Sequence, residues 1–206
     1  MARDRSSIVK QSRREGYALH PKAHKALVKK TSLPGKAPNY RARNKDSQYS
    51  LQLREKQKVK RLYGLLEKQF RKLMKEASAT KGQSGETLLK YLEQRADNVV
   101  YRSSFATSRR AARQLVTHGH FELNGKRFDI PSIRINPGDV LTVRDKSKKS
   151  EYFKLIDDLS PAGAEGSISW LKVNRKKLEV SVTALPPREE AEPDINEQLI
   201  VEYYSR

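Results

Sequence analysis

Guanidinium and ammonium groups are the side chains whose type and spacing offer chemistry in this chain, and that chemistry is the capture of phosphate. Arg109 and Arg113 stand four apart, so on a helix they project together, while Ala112, Leu115 and Val116 share another face by the same rule. Thr107 is a good N-cap for a helix beginning at Ser108, and Gly119 suits the position just past its end. Residues 121–123 and 126–128 flank Asn124-Gly125, the dipeptide a type I′ turn favours because both central residues need positive φ. Arg109, Arg110, Arg113, Lys126 and Arg127 therefore come from neighbouring elements and read as a phosphate-binding patch. Taken alone, a basic helix of this kind reads better as the solvated face of a small domain.

Other chemistry is sparse. His20 and His24 stand four apart, but no cysteine or carboxylate accompanies them at metal-site spacing, so no metal is expected. His118 and His120 alternate, so at most one should face the basic patch, and surface histidine is the simpler account of both. Residues 81–85, KGQSG, match neither a phosphate loop nor a nucleophile elbow and read as linker. Arg95-Ala96-Asp97 is the one catalytic candidate, because some RNA pseudouridine synthases carry an Arg-x-Asp motif and append a small basic module. Here it lies before the module, inside the helix that packs it, where Asp97 is expected to cap or to form a local salt bridge. About 60 residues follow the hairpin domain, too few for a separate catalytic domain of usual size. No active site and no cofactor are expected. Tyr101 beside Arg102, with Tyr17 and Tyr63 amid basic residues, offers rings for base stacking, although core packing is the better account of Tyr63.

The totals favour the functional account of the patch. In 206 residues, 43 Lys and Arg face 24 Asp and Glu, a formal charge of +19. The excess is uneven: net +16 over residues 1–80, +7 over 81–150 and −4 over 151–206. Such a field attracts phosphate backbones through counterion release and speeds encounter. A membrane surface is the rival polyanion, but no stretch approaches the roughly 18 apolar residues of a spanning helix, and residues 1–16 lack the apolar run of a signal peptide. A hydrophobic content of 36% suits two small cores better than one large core. Without cysteine there is no disulfide framework, which fits a reducing cytosol.

Two modest domains and a tail follow from the patterning, and the fold class is α+β. Residues 1–48 are basic, with few large apolar side chains, and read as an extension ordered by a polyanion partner. Residues 49–77 predict one long helix carrying Val59, Leu62, Leu66, Phe70 and Leu73 on one stripe and Arg54, Lys58, Arg61, Lys68, Lys72 and Lys75 on another. Residues 77–85 are linker. A helix over 86–101 opens the next domain, followed by the Thr107 helix, the hairpin, a turn at 136–139 and strands over 140–143, 170–173 and 178–182. Asp194 with Glu197 predicts a capping box for a short final helix with Ile195 and Leu199. The expected boundaries are a basic extension over 1–48, a helical domain over 49–85 and 183–206, and an RNA-binding domain over 86–182.

At this point whole blocks of the chain resemble a known family, the bacterial small-subunit ribosomal protein S-four, over nearly the full length. Residues 12–16 (SRREG) resemble its N-terminal motif, and residues 52–58 (QLREKQK) with Tyr63-Gly64 resemble the start of its long helix. Residues 95–102 (RADNVVYR) and 112–116 (ARQLV) are similar to its RNA-binding module, and residues 194–202 (DINEQLIVE) to its C-terminus. Zinc-binding members place paired cysteines before the Arg-Arg-Glu-Gly motif, whereas Val9 and Ser12 stand there in this chain, so zinc is not implied. The family's Pro-Gly-x-His-Gly turn is replaced by Pro38-Asn39-Tyr40-Arg41.

The resemblance implies a helical domain with an inserted small RNA-binding module. It further implies a primary rRNA binder at a helix junction in the 5′ domain of 16S rRNA, which nucleates subunit assembly. Contact with ribosomal protein S-five, a place near the mRNA entry channel, a role in translational accuracy and a cytoplasmic location come with it. Arg41, Arg43 and Lys45 fall where the family has a basic loop near incoming mRNA. The remaining candidate RNA contacts are Lys10, Arg13, Arg14, Lys22 and Lys25 in the extension, Arg54, Lys58, Arg61, Lys68 and Lys72 on the long helix, and Arg102, Ser108, Arg109, Arg110, Arg113, Lys126 and Arg127 on the module. The alternative is an RNA-modifying enzyme, or a ribosome-associated stress factor, built on the same module.

Overall fold

Apolar spacing continues unbroken from Val59 to Leu73, yet the chain forms two helices there, α3 (Gln48–Leu62) and α4 (Glu67–Ala79). The long helix expected over 49–77 is corrected by the backbone at Gly64, which takes φ +65°. The Gly64 amide bonds the Arg61 carbonyl at 3.1 Å and the Leu65 amide bonds the Lys60 carbonyl at 2.9 Å, a Schellman closure that a left-handed glycine makes without side-chain strain. Ser47 caps α3 by accepting from the Ser50 amide.

The computed structural model describes residues 4, 6–30, 32–35, 47–159 and 168–205, and its contacts divide into two units, Met1–Leu88 with Asp194–Arg206, and Leu89–Pro193. In the first unit, α1 (Ile8–Glu15) packs near α3, and α2 (His24–Lys29), which follows a single 3-10 turn, packs near α1. The basic N-terminal stretch thus contributes core, with Leu19 and Ala23 buried. The last helix, α11 (Glu197–Tyr204), lies on α3. Its cap is not the expected Asp194–Glu197 box; Asn196 accepts from the Gln198 amide at 3.1 Å. Gly85 fits against α11, where an added Cβ would meet the Glu197 side chain at 2.7 Å, so the linker belongs with the helices.

The second unit begins within α5 (Ser84–Glu93). The single helix expected over 86–101 is also two, α5 and α6 (Ala96–Arg102). Here the break comes from a distant segment: Ala96 and Asp97 donate to the carbonyls of Ile133 and Pro131, and the Ile135 amide donates to the Gln94 carbonyl. Those bonds replace helical ones. Then come α7 (Arg109–Thr117) and a five-stranded antiparallel sheet ordered β2-β1-β3-β5-β4: β1 (Phe121–Leu123), β2 (Lys126–Arg127), β3 (Val140–Val143), β4 (Leu171–Asn174) and β5 (Glu179–Val182). Three short helices, α8 (Asp145–Lys148), α9 (Glu151–Lys154) and α10 (Ile156–Leu159), follow β3.

Period-two burial gives the sheet one inner face, with Leu141 and Val143 of β3 and Val180 and Val182 of β5 buried. Those side chains join Ala96, Val99, Val100, Ala112 and Val116 from α6 and α7 in one core with Phe105, Phe121 and Trp170. Each fully buried large side chain there contributes about 2 kcal/mol relative to exposure. Residues 183–193 stay with this unit and not with the helices, because the Thr183 amide bonds the Trp170 carbonyl and the Glu190 carboxylate accepts from the Ser169 amide.

Candidate nucleic-acid interface

The module is built around α7, whose cap differs from expectation by one residue. Ser108, not Thr107, is the N-cap, its hydroxyl accepting from the Ala111 amide at 3.3 Å while the residue itself is buried. Ser108 is therefore a structural cap and not a surface contact. Gly119 closes the other end at φ +70°, its amide bonded to the Val116 carbonyl at 2.8 Å. That reversal brings the rings of His118 and His120 within 6.0 Å of each other, so they do not diverge as alternation in an extended chain would require. His120 pairs with the Ser147 hydroxyl at 3.0 Å, and burial, with the His118 and Arg144 charges, pushes its imidazole below the ordinary value of 6.5.

The hairpin forms as expected. Asn124 and Gly125 both take positive φ, +50° and +76°. Asn124 also anchors the turn: its side-chain amide donates to Asp139 at 2.8 Å and its Oδ1 accepts from the Val140 amide at 2.9 Å. Asp139 in turn accepts from the Asn136 amide, fixing the turn over 136–139. Lys126 and Arg127 are exposed on the edge strand β2, where charge also blocks pairing with another chain.

The five-residue patch divides. Arg110, Lys126 and Arg127 are exposed. Arg109 and Arg113 do project together, but into the protein: Arg109 donates to Asn98 at 2.9 Å and to Glu192 at 2.7 Å and lies 4.6 Å over the Tyr101 ring, while Arg113 stands 3.7 Å from Asp97. Arg102 is likewise engaged, with both ends of its guanidinium on Glu93 at 2.9 and 3.0 Å. The patch also has ends, because α7 separates Arg109 from the hairpin side by roughly 12 Å at 1.5 Å per residue. At the hairpin end the Arg127 guanidinium lies against Gly119, and Arg144 donates to the Gly119 carbonyl at 3.2 Å. Residues 144–149, RDKSKK, thus add Arg144 and the exposed Lys146 and Lys149 to this end. That basic run is the signal in the sequence that points to them.

The helical unit shows the same partition. Lys10, Arg14, Lys22 and Lys25 are exposed, as are Lys68 and Lys72 on α4. Those on α3 are turned to acids, since α3 lies between α1 and α11: Arg54 and Arg61 both reach the fully buried Glu15 carboxylate, and Lys58 bonds Glu55 and the Asp194 carbonyl while lying 5.3 Å over Tyr17. Arg13 donates to the carbonyls of Ser32 and Leu33. Tyr63 is core. Arg41, Arg43 and Lys45 lie outside the described residues.

Among the described residues no group of three or more His, Cys, Asp or Glu is placed to hold a metal, and no helix is long and apolar enough to cross a membrane. Residues 3–93 match the ribosomal protein S4/S9 N-terminal domain, and residues 94–141 match the S4 domain. Over 206 residues, all of this chain and all of each relative, the sequence is 48% identical to small ribosomal subunit protein uS4 of Chlorobium limicola and to that of Chlorobaculum tepidum, and 47% identical to that of Chloroflexus aurantiacus.

Proposed function

The chain belongs to the uS4 family of small ribosomal subunit proteins, structural components and not enzymes, and from that premise we propose that it binds small-subunit rRNA directly, holds a helix junction of the 5′ domain and nucleates assembly around it in the cytoplasmic ribosome. The full-length match carries this reading, since it spans both the helical unit and the module. Contact with the neighbouring ribosomal protein S5, a place beside incoming mRNA for Arg41, Arg43 and Lys45, and a contribution to decoding accuracy belong to the same proposal.

The exposed cations are the proposed phosphate contacts: Arg110, Lys126 and Arg127 on the module, with Lys10, Arg14, Lys22, Lys25, Lys68 and Lys72 on the helical unit. Phosphate contacts of this kind set register on folded RNA without reading bases. A catalytic use of Arg95-x-Asp97 has no support, because both side chains are buried against each other. Cosedimentation tests the proposal. The protein is expected at one copy per small subunit after a moderate salt wash; its loss into the wash, or turnover of RNA by the purified protein, would overturn it.

A further inference from the structure

Glu192 stands where a phosphate would be useful. Its Oε1 lies 2.7 Å from Nη2 of Arg109 and 3.5 Å from Nη2 of Arg102, and the three side chains are only 12–16% exposed. Arg102 already has a carboxylate in Glu93, which is buried and also accepts from the Asn98 amide at 2.8 Å. Arg109 also donates to the Asn98 oxygen and lies over the Tyr101 ring. Glu192 thus brings a carboxylate to Arg109 at hydrogen-bond distance. It arrives from 83 residues away, on the segment after β5, so it is a separate element laid over the module.

We infer that Glu192 is a specificity-determining residue of RNA binding: its carboxylate occupies the anion position of Arg109, and only RNA that displaces it gains that guanidinium. The inference rests on the RNA-binding reading above. Charge-assisted hydrogen bonds to an arginine are among the stronger polar contacts, so displacement is costly for a flexible strand whose phosphates are not held in place. A folded junction presents phosphates at fixed positions and meets that cost once. Glu192 thereby penalises unstructured RNA more than folded RNA.

The test compares the full-length parent with Glu192→Gln and with Glu189→Gln, an exposed neighbour that makes the same charge change outside the cluster. Affinity for an unstructured single-stranded RNA and for a folded small-subunit junction RNA is measured across salt. Glu192→Gln should bind the single strand roughly threefold to tenfold tighter than Glu189→Gln, with a salt slope steeper by about 0.7, the value for one added phosphate contact, and its preference for the junction should fall by a similar factor. Equality of the two variants on both RNAs would overturn the inference, as would weaker junction binding by Glu192→Gln with no gain on the single strand, which would make Glu192 a support for the arginines. If Glu192→Gln loses the near-ultraviolet signal of buried Trp170, Glu192→Asp replaces it, keeping the charge at shorter reach. It should bind the single strand tighter than the parent because the shorter side chain holds Arg109 less well, and parent-like behaviour would count against the inference. Failure of every form, parent included, to bind either RNA would instead refute the RNA-binding reading itself.

Discussion

Arg95 holds Asp97 with both ends of its guanidinium, Nε to Oδ1 at 3.0 Å and Nη2 to Oδ2 at 2.8 Å, in a pair whose side chains are 5% and 7% exposed. The pair sits where α5 gives way to α6 and the backbone of residues 94–97 bonds to residues 131–135. It is a brace for that junction.

Removing one partner of such a pair leaves a buried charge uncompensated. Asp97→Asn is therefore expected to destabilise the second unit by about 3 kcal/mol in urea unfolding. A change below about 1 kcal/mol would show that the pair is not a brace.

The divided patch predicts two different phenotypes. Replacing Arg110, Lys126 and Arg127 by Ala should cost about 1 kcal/mol of junction-RNA binding per residue with little change in unfolding free energy, because exposed charges contribute little to stability. Replacing Arg109 and Arg113 should lower stability as well, by about 2 kcal/mol, since Glu192 and Asp97 lose partners. Binding titrations paired with thermal melts would reveal an unchanged melting temperature for the second variant if this partition is wrong.

A net charge of +19 predicts strong salt dependence. Log affinity for junction RNA should fall linearly with log salt, with a slope reporting several released counterions. Affinity that stays flat between low and physiological salt would refute backbone neutralisation as the main source of binding.

The helical unit should be acid-sensitive through Glu67. Burial pulls its carboxyl upward, but hydrogen bonds from Tyr204, Lys56 and Lys60 outweigh this and hold it at about 2, below the ordinary 4.5. A folded value below the unfolded one means that ionised Glu67 stabilises the unit at pH 4.5 and above, and that this contribution is lost as the pH falls from 4.5 through about 2. Glu15 has the opposite sign: burial raises its carboxyl despite Arg54 and Arg61, so its protonation does not add to the acid loss. Glu67→Gln should flatten the stability profile over that window, and an unaltered profile in urea melts at stepped pH would count against the assignment.

Gly119 offers a local test at the hairpin end. A Cβ there would sit at φ +70° and 2.8 Å from the Arg127 guanidinium, so Gly119→Ala should cost about 1 to 2 kcal/mol, mostly in the backbone. A calorimetric melt matching the parent's would show that the turn relaxes freely.

Local rules make much of this protein legible in its sequence. Residues 140–143 alternate and form β3, Asn124-Gly125 turns the hairpin with two positive φ values, and Gly119 ends α7. Charge and the resembling blocks pointed to rRNA because net charge and short motifs depend only on which residues are present. What the sequence alone left open was decided by residues distant along the chain. Periodicity runs straight through Tyr63-Gly64 and Gln94-Arg95, and the breaks follow from a backbone closure in one case and from pairing with residues 131–135 in the other. Likewise the sequence shows that Arg109 and Arg61 are cations but not which anion each meets. Glu192 lies 83 positions from Arg109, and Glu15 lies 46 from Arg61. Coulomb attraction depends on separation in space, so only the tertiary fold could decide which arginines are held by the protein and which face outward.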